Sequence, residues 1–265
     1  AGGLVGALAM RQWLQRDRGS ALPRGDEEAV AACRAATCRA EWLRAPSFES
    51  SRPRVVLLAT GSVASVKVPE LAATLCDFAD VAVVLTGPGE VMVRRIAGRY
   101  APTWTAEWER LQASGQLHVL TDADEWEGYQ DVSVDTVVHI ELRKWADVAV
   151  VAPCSSNTLA KAALGLCDNL ATCLLRAWNP ERPLVLAPAT NTIMWEHPAN
   201  ALHLRTLESW GYKIVPPASK RLACGDVGRG ALAPVSEVVE AVRAAVEGFQ
   251  ARRGREGTGV RQRQG

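Results

Sequence analysis

No apolar run in this 265-residue chain approaches the roughly 20 residues that a membrane span requires, so the chain reads as soluble. Formal net charge is only +1, and with no dominant sign there is no global field to attract nucleic acid or an anionic membrane. Seven cysteines are present, but none forms a CxxC pair, which argues against a zinc site. The odd count argues against a disulfide framework and for reduced thiols in the cytoplasm. Neither the Walker pattern nor GxGxxG occurs, so any nucleotide-like ligand must be held by some other device.

What is present is a core. With 48% hydrophobic residues the chain is rich enough to bury one domain of roughly 200 residues with tails. Residues 1–52 mix Arg, Ala, Glu and Ser without a sustained apolar face and read as a disordered or accessory segment. The acidic Asp26, Glu27 and Glu28 count against a transit peptide. Residues 53–249 form the domain, and the Arg-rich stretch 250–265 reads as a solvated, disordered basic tail.

Inside the domain, short Val- and Leu-rich runs at Val55–Ala59, Val81–Leu85, Val148–Ala152, Leu184–Ala187 and Lys213–Val215 are continuous rather than alternating. That is the pattern of strands buried on both faces. Helical patterns at Val63–Ala79, Asn157–Trp178, Pro198–Trp210 and Val235–Phe249 separate or follow them. The alternation predicts an α/β, three-layer fold of flavodoxin-like or Rossmann-like type with a central parallel sheet. The stretch from Gly87 to Glu127, with Trp104, Trp108 and Trp126, interrupts the pattern and reads as a partly ordered insertion near the site.

Two strand-to-helix turns carry hydroxyls. Gly61-Ser62-Val63 follows the first strand, and Ser155-Ser156-Asn157-Thr158 follows the run ending at Ala152. Free amides at a helix N-terminus suit a phosphate, although the same turn serves equally as a bare helix cap. On a parallel sheet both turns fall at the carboxyl edge, where open α/β folds bind nucleotides. A carboxamide, Asn191, and a thiol, Cys224, lie on loops after apolar runs and suit holding a carboxylate and delivering a proton. His139 precedes a short helix, where an imidazole serves either as a satisfied structural group or in proton transfer near neutral pH.

The motifs GSVAS, HIELRKWAD, SSNTLAK, GLCDNL, NTIMW and KRLACGD occur in this order over residues 54–247. In combination they closely resemble the phosphopantothenoylcysteine decarboxylases, flavin-containing cysteine decarboxylases that include plant and fungal halotolerance-type proteins. The resemblance implies a lyase of coenzyme A biosynthesis that uses FMN to convert phosphopantothenoylcysteine to 4′-phosphopantetheine. It implies FMN contacts from Gly61, Ser62, Val63, Thr86, Ser155, Ser156, Asn157, Thr158 and Ala189. His139, Asn191 and Cys224 match the family's catalytic positions, with Asn191 on the substrate carboxylate and Cys224 as proton donor. Arg221, Leu222 and Ala223 match the flap over the substrate, and no metal is implied.

Such relatives form trimers with sites between subunits, which implies a homotrimer or a heterotrimer with paralogues. Fungal relatives inhibit a protein phosphatase, the alternative role. The sequence departs from the family pattern at Thr190, usually Met, at Lys144, usually Arg, and at Cys154, usually Leu.

Overall fold

A computed structural model describes residues 41–43, 52–126, 129, 136–221 and 227–261. Its sheet has six strands, β1 Arg54–Ala59, β2 Asp80–Leu85, β3 Leu117–Thr121, β4 Val148–Cys154, β5 Leu184–Pro188 and β6 Lys213–Ile214, in the order β3-β2-β1-β4-β5-β6. Every pairing in it is parallel.

The continuous apolar runs serve both faces. Because side chains alternate along a strand, Val55, Leu57 and Ala59 enter one core and Val56 and Leu58 the other. Val81, Val83 and Leu85 of β2 and Val148, Val150 and Ala152 of β4 join the first core in the same way. Helices α1 Val68–Cys76, α4 Pro102–Ala113 and α11 Val235–Arg261 cover the first face. On the second lie α6 Val138–Trp145, α7 Ser156–Leu164, α8 Leu170–Ala177 and α10 Pro198–Ser209. The result is the three-layer α/β fold expected from the sequence, with its sheet wholly parallel.

The chain runs outward from β1 through β2 to β3, then returns to the other side of β1 for β4. This reversal leaves a crevice beyond the carboxyl ends of β1 and β4, where ligands bind in open α/β sheets.

Three expectations are corrected. The stretch Gly87–Glu127 is not an insertion: it holds α2 Gly87–Val91, a π-helical turn Met92–Ile96, α3 Ala97–Tyr100, α4, strand β3 and α5 Asp122–Trp126. Strand β3 escaped because His118 interrupts a five-residue run at the sheet edge, and α4 because Trp108 and Leu111 make only a narrow apolar stripe. The single helix expected over Asn157–Trp178 is two. Gly165, at φ +71°, ends α7 in the left-handed conformation, and Asn169 caps α8 reciprocally with Thr172.

The closing helix runs to Arg261 rather than to Phe249. Arginine is a good helix former, Arg252 and Arg253 lie over the Phe249 ring at 6.0 and 5.8 Å, and Arg253 reaches Asp147 at 3.5 Å. Part of the N-terminal segment is docked as well: Trp42 and Leu43 of a 3-10 turn, Glu41–Leu43, pack on the second core. Trp42 stacks on His118 with ring centroids 4.0 Å apart, and burial holds the His118 imidazole below its ordinary pKa. Residues 1–40 of the segment read as disordered or accessory lie outside the described residues. No helix among the described residues is long and apolar enough to cross a membrane.

Candidate active site

The site is assembled where β1, β4 and β5 end. After β1, the buried Thr60 hydroxyl donates to the Pro153 carbonyl at 2.8 Å and accepts from the Ser155 amide at 2.8 Å. The next residue, Gly61, has no room for a side chain, because a Cβ there would lie 2.8 Å from that of Pro88. Ser62 then caps the 3-10 turn Val63–Lys67, its hydroxyl accepting from the Ala64 amide at 3.3 Å. From β2, Thr86 donates its backbone N–H to the Ala59 carbonyl at 3.1 Å. A Cβ on Gly89 would meet that same carbonyl oxygen at 2.5 Å, so α2 sits hard against the end of β1.

After β4, Ser155 caps α7 by accepting from the Thr158 amide at 3.2 Å. The two hydroxyl-rich turns are therefore joined, through Thr60, into one rim.

The third segment follows β5. The amide of Ala189 donates to the Cys154 carbonyl at 2.9 Å and that of Thr190 to Gly230 at 2.8 Å. In the place usually held by Met, the Thr190 hydroxyl accepts from Ser156 at 2.8 Å, which ties this segment to the second turn. Asn191 caps the short helix α9 Thr192–Glu196, its side-chain oxygen accepting from the Ile193 amide at 2.8 Å. An antiparallel hairpin, β7 Ala218–Arg221 with β8 Val227–Ala231, lies over this segment. The approach needs glycine: a Cβ on Gly228 would stand 2.6 Å from Thr192, and one on Gly230, at φ +149°, 2.5 Å from the Thr190 oxygen.

These segments enclose a cavity of about 910 Å³, toward the upper end of the roughly 300–1,000 Å³ of small-molecule sites. Its wall includes all nine residues expected to contact a cofactor: Gly61, Ser62, Val63, Thr86, Ser155, Ser156, Asn157, Thr158 and Ala189. Asn191 lines it too. Sequence reasoning missed Lys67 and Lys220, which bring positive charge to the wall, and Asn169 of the GLCDNL motif. Met92, Ile96 and Tyr100, from the stretch read as an insertion, complete an apolar side.

His139 is not on this wall. It stands in the first turn of α6, at the same carboxyl edge of the sheet. Its ring Nδ1 lies 2.5 Å from Glu125 Oε1, and its backbone amide donates to Glu125 Oε2 at 3.0 Å. Lys144, another departure from the expected pattern, pairs with Glu141 on the exposed face of that helix at 2.6 Å. Residues 222–226, among them Leu222, Ala223 and Cys224, lie outside the described residues, as does the Arg221 side chain. No cluster of metal-ligating side chains occurs among the described residues.

The family model named Flavoprotein matches residues 43–247. A phosphopantothenoylcysteine decarboxylase of Oryza sativa subsp. japonica is 44% identical over 195 residues, covering 74% of this chain and 81% of the relative. One of Mus musculus is 42% identical over 196 residues, covering 74% and 88%. Among solved structures, a cysteine-to-serine variant of PPC decarboxylase complexed with pantothenoylaminoethenethiol is 42% identical with a TM-score of 0.64, covering 73% of this chain and 97% of that one. The FMN-binding protein AtHal3 is 42% identical with a TM-score of 0.63, covering 74% and 98%. With its switch-point cavity and this extent of identity, the chain belongs to the flavoprotein family, alongside the phosphopantothenoylcysteine decarboxylases.

Proposed function

We propose that this chain is an FMN-dependent phosphopantothenoylcysteine decarboxylase, forming 4′-phosphopantetheine in coenzyme A biosynthesis. The observation that carries the reading is the single cavity shared by Asn191 and all nine expected cofactor residues, in a chain 42–44% identical to decarboxylases over most of their length. The wall fits FMN. Ser62, Ser155 and Thr158 hydroxyls and the first amides after two strands suit a phosphate, Lys67 adds charge, and Val63, Met92 and Ile96 offer an apolar side to a ring.

When bound, FMN supplies the two-electron chemistry that gives the substrate's carboxylate-bearing carbon somewhere to place its electrons. The protein's own part is positioning and proton traffic. Ser62, Asn157 and Thr158 hold the phosphate and ribityl chain, while Thr86 and Ala189 border the ring. Asn191, whose side-chain oxygen accepts the Ile193 amide, holds the substrate carboxylate. His139 moves a proton at its ring, and Arg221, Leu222 and Ala223 close over the substrate. Cys224 protonates carbon last, which requires a thiol rather than a thiolate. The enethiol held by the cysteine-to-serine variant of the relative supports that role, because the enethiol is what remains when the last proton is not delivered.

Purified native chain should show a flavin absorption spectrum. Replacing Ser62 and Asn157 by leucine should give a folded, colourless protein, and stoichiometric flavin in that variant would overturn the cofactor assignment.

The reading extends to a trimer, with His139 from one subunit and Asn191 and Cys224 from its neighbour, working in the cytoplasm. The absence of His139 from the cavity wall supports the shared site, and the free thiols of Cys76, Cys154, Cys167 and Cys173 support a reducing compartment. Mixing His139→Asn with Cys224→Ser chains should restore activity; no recovery in mixed oligomers would place each site within one chain. The second reading, a halotolerance-type subunit that regulates a protein phosphatase, is compatible with the HAL3 name that a 42% identical Glycine max relative carries beside its decarboxylase one.

A further inference from the structure

The short acidic helix α5 gives each of its carboxylates separate work. Asp122 accepts the Leu170 amide at 3.0 Å, and Asp124 accepts the Thr121 amide and hydroxyl at 2.7 and 2.8 Å. Glu125 alone of the three is given to His139. Its side chain is 1% exposed, a costly place for a carboxylate unless it is paired. Both of its oxygens are used on that one residue, Oε1 on ring Nδ1 and Oε2 on the backbone amide. That amide is in the first turn of α6, where no helical carbonyl is available to it, and a negative charge there also suits the helix dipole. His139 is thus held by its backbone and its ring at once.

We propose that Glu125 is the positioning residue of His139: its carboxylate fixes the imidazole with the proton on Nδ1 and presents Nε2 as the atom that exchanges protons. A carboxylate accepts and does not donate, so the ring nitrogen facing it must carry hydrogen. The histidine ring is 19% exposed on its side chain against 1% for Glu125, leaving the far edge as the side open to a reactant. The same division of labour, carboxylate to one nitrogen and chemistry at the other, orients histidines in hydrolytic triads. The proposal rests on the decarboxylase reading only for the identity of the reaction; the tautomer itself is a property of the folded chain.

The test is nitrogen NMR of histidine-labelled, flavin-loaded full-length chain, with the His139 signals identified by their loss in His139→Asn. In native chain the neutral ring should carry hydrogen on Nδ1 and none on Nε2. Glu125→Gln replaces one of two acceptors by an NH2 group, so it cannot serve both His139 donors. It should relax the tautomer preference and lower kcat by about ten- to hundredfold, the size seen when the carboxylate partner of a metal-bound histidine is lost, with KM and flavin content unchanged. Should Glu125→Gln not fold, Glu125→Asp, which keeps the charge but shortens the reach, should show a smaller change in the same direction. Native tautomer and native kcat in the folded Gln variant, or in the Asp variant where it is the one that folds, would overturn the proposal. Full activity in His139→Asn would instead remove the proton-transfer role while leaving the NMR result to decide the tautomer.

Discussion

The hydroxyl of Thr60 lies between the two turns of the site, donating to the Pro153 carbonyl and accepting from the Ser155 amide, each at 2.8 Å. One buried oxygen thereby sets the spacing of two helix starts by joining residues 95 apart in the chain. Thr60→Val keeps the shape but removes both bonds and leaves a buried amide without its acceptor. It should cost about 1–3 kcal/mol of stability and weaken flavin retention. Denaturant unfolding and the flavin content of the purified variant check both effects. Native flavin content with native stability would show that the turns do not depend on this link.

A second prediction concerns the hairpin over Asn191. At Gly230 an alanine would have to adopt φ +149° and place its Cβ 2.5 Å from the Thr190 oxygen, so the hairpin must lift. Gly230→Ala should lose about 1–3 kcal/mol of stability and most activity. Gly87→Ala, where a Cβ meets nothing within 4 Å, is the control and should leave stability within about 0.5 kcal/mol of native. Thermal unfolding of the two variants side by side gives the comparison.

The described cysteines should differ sharply toward a thiolate-directed reagent. Burial pushes the Cys76 thiol up to about 11 and the Cys154 thiol up to about 12, so around neutral pH both stay protonated and unreactive. Cys167 is exposed. Peptide mass analysis after brief labelling should find Cys167 modified first and Cys154 only after unfolding. Early labelling of Cys154 would mean that β4 opens in the native state.

What could be read in advance follows from where each signal resides. The strands β1, β2, β4 and β5 announce themselves because burial on both faces demands an unbroken apolar run, as in Val55–Ala59. Ser62 and Ser155 are legible because a hydroxyl cap is a local device, visible beside its own strand. Thr60 is not: its partners stand 93 and 95 residues away, and its value lies only in their meeting. Glu125 is hidden for the same reason. It precedes His139 by 14 residues in a stretch that reads as an insertion, and burial gives it meaning only once α5 and α6 pack. Edge strand β3, half polar and five residues long, carries too little pattern to be told from a loop.

Decarboxylation at the three-segment cavity is tested most directly by a single turnover of flavin-loaded chain with phosphopantothenoylcysteine, measuring CO2 and organic product together. Native chain should release CO2 and 4′-phosphopantetheine in equal amounts. In Cys224→Ser, CO2 should still leave while the product stops at the enethiol, because an alcohol is a far weaker acid than a thiol. Flavin-loaded native chain that releases no CO2 from this substrate would contradict the claim.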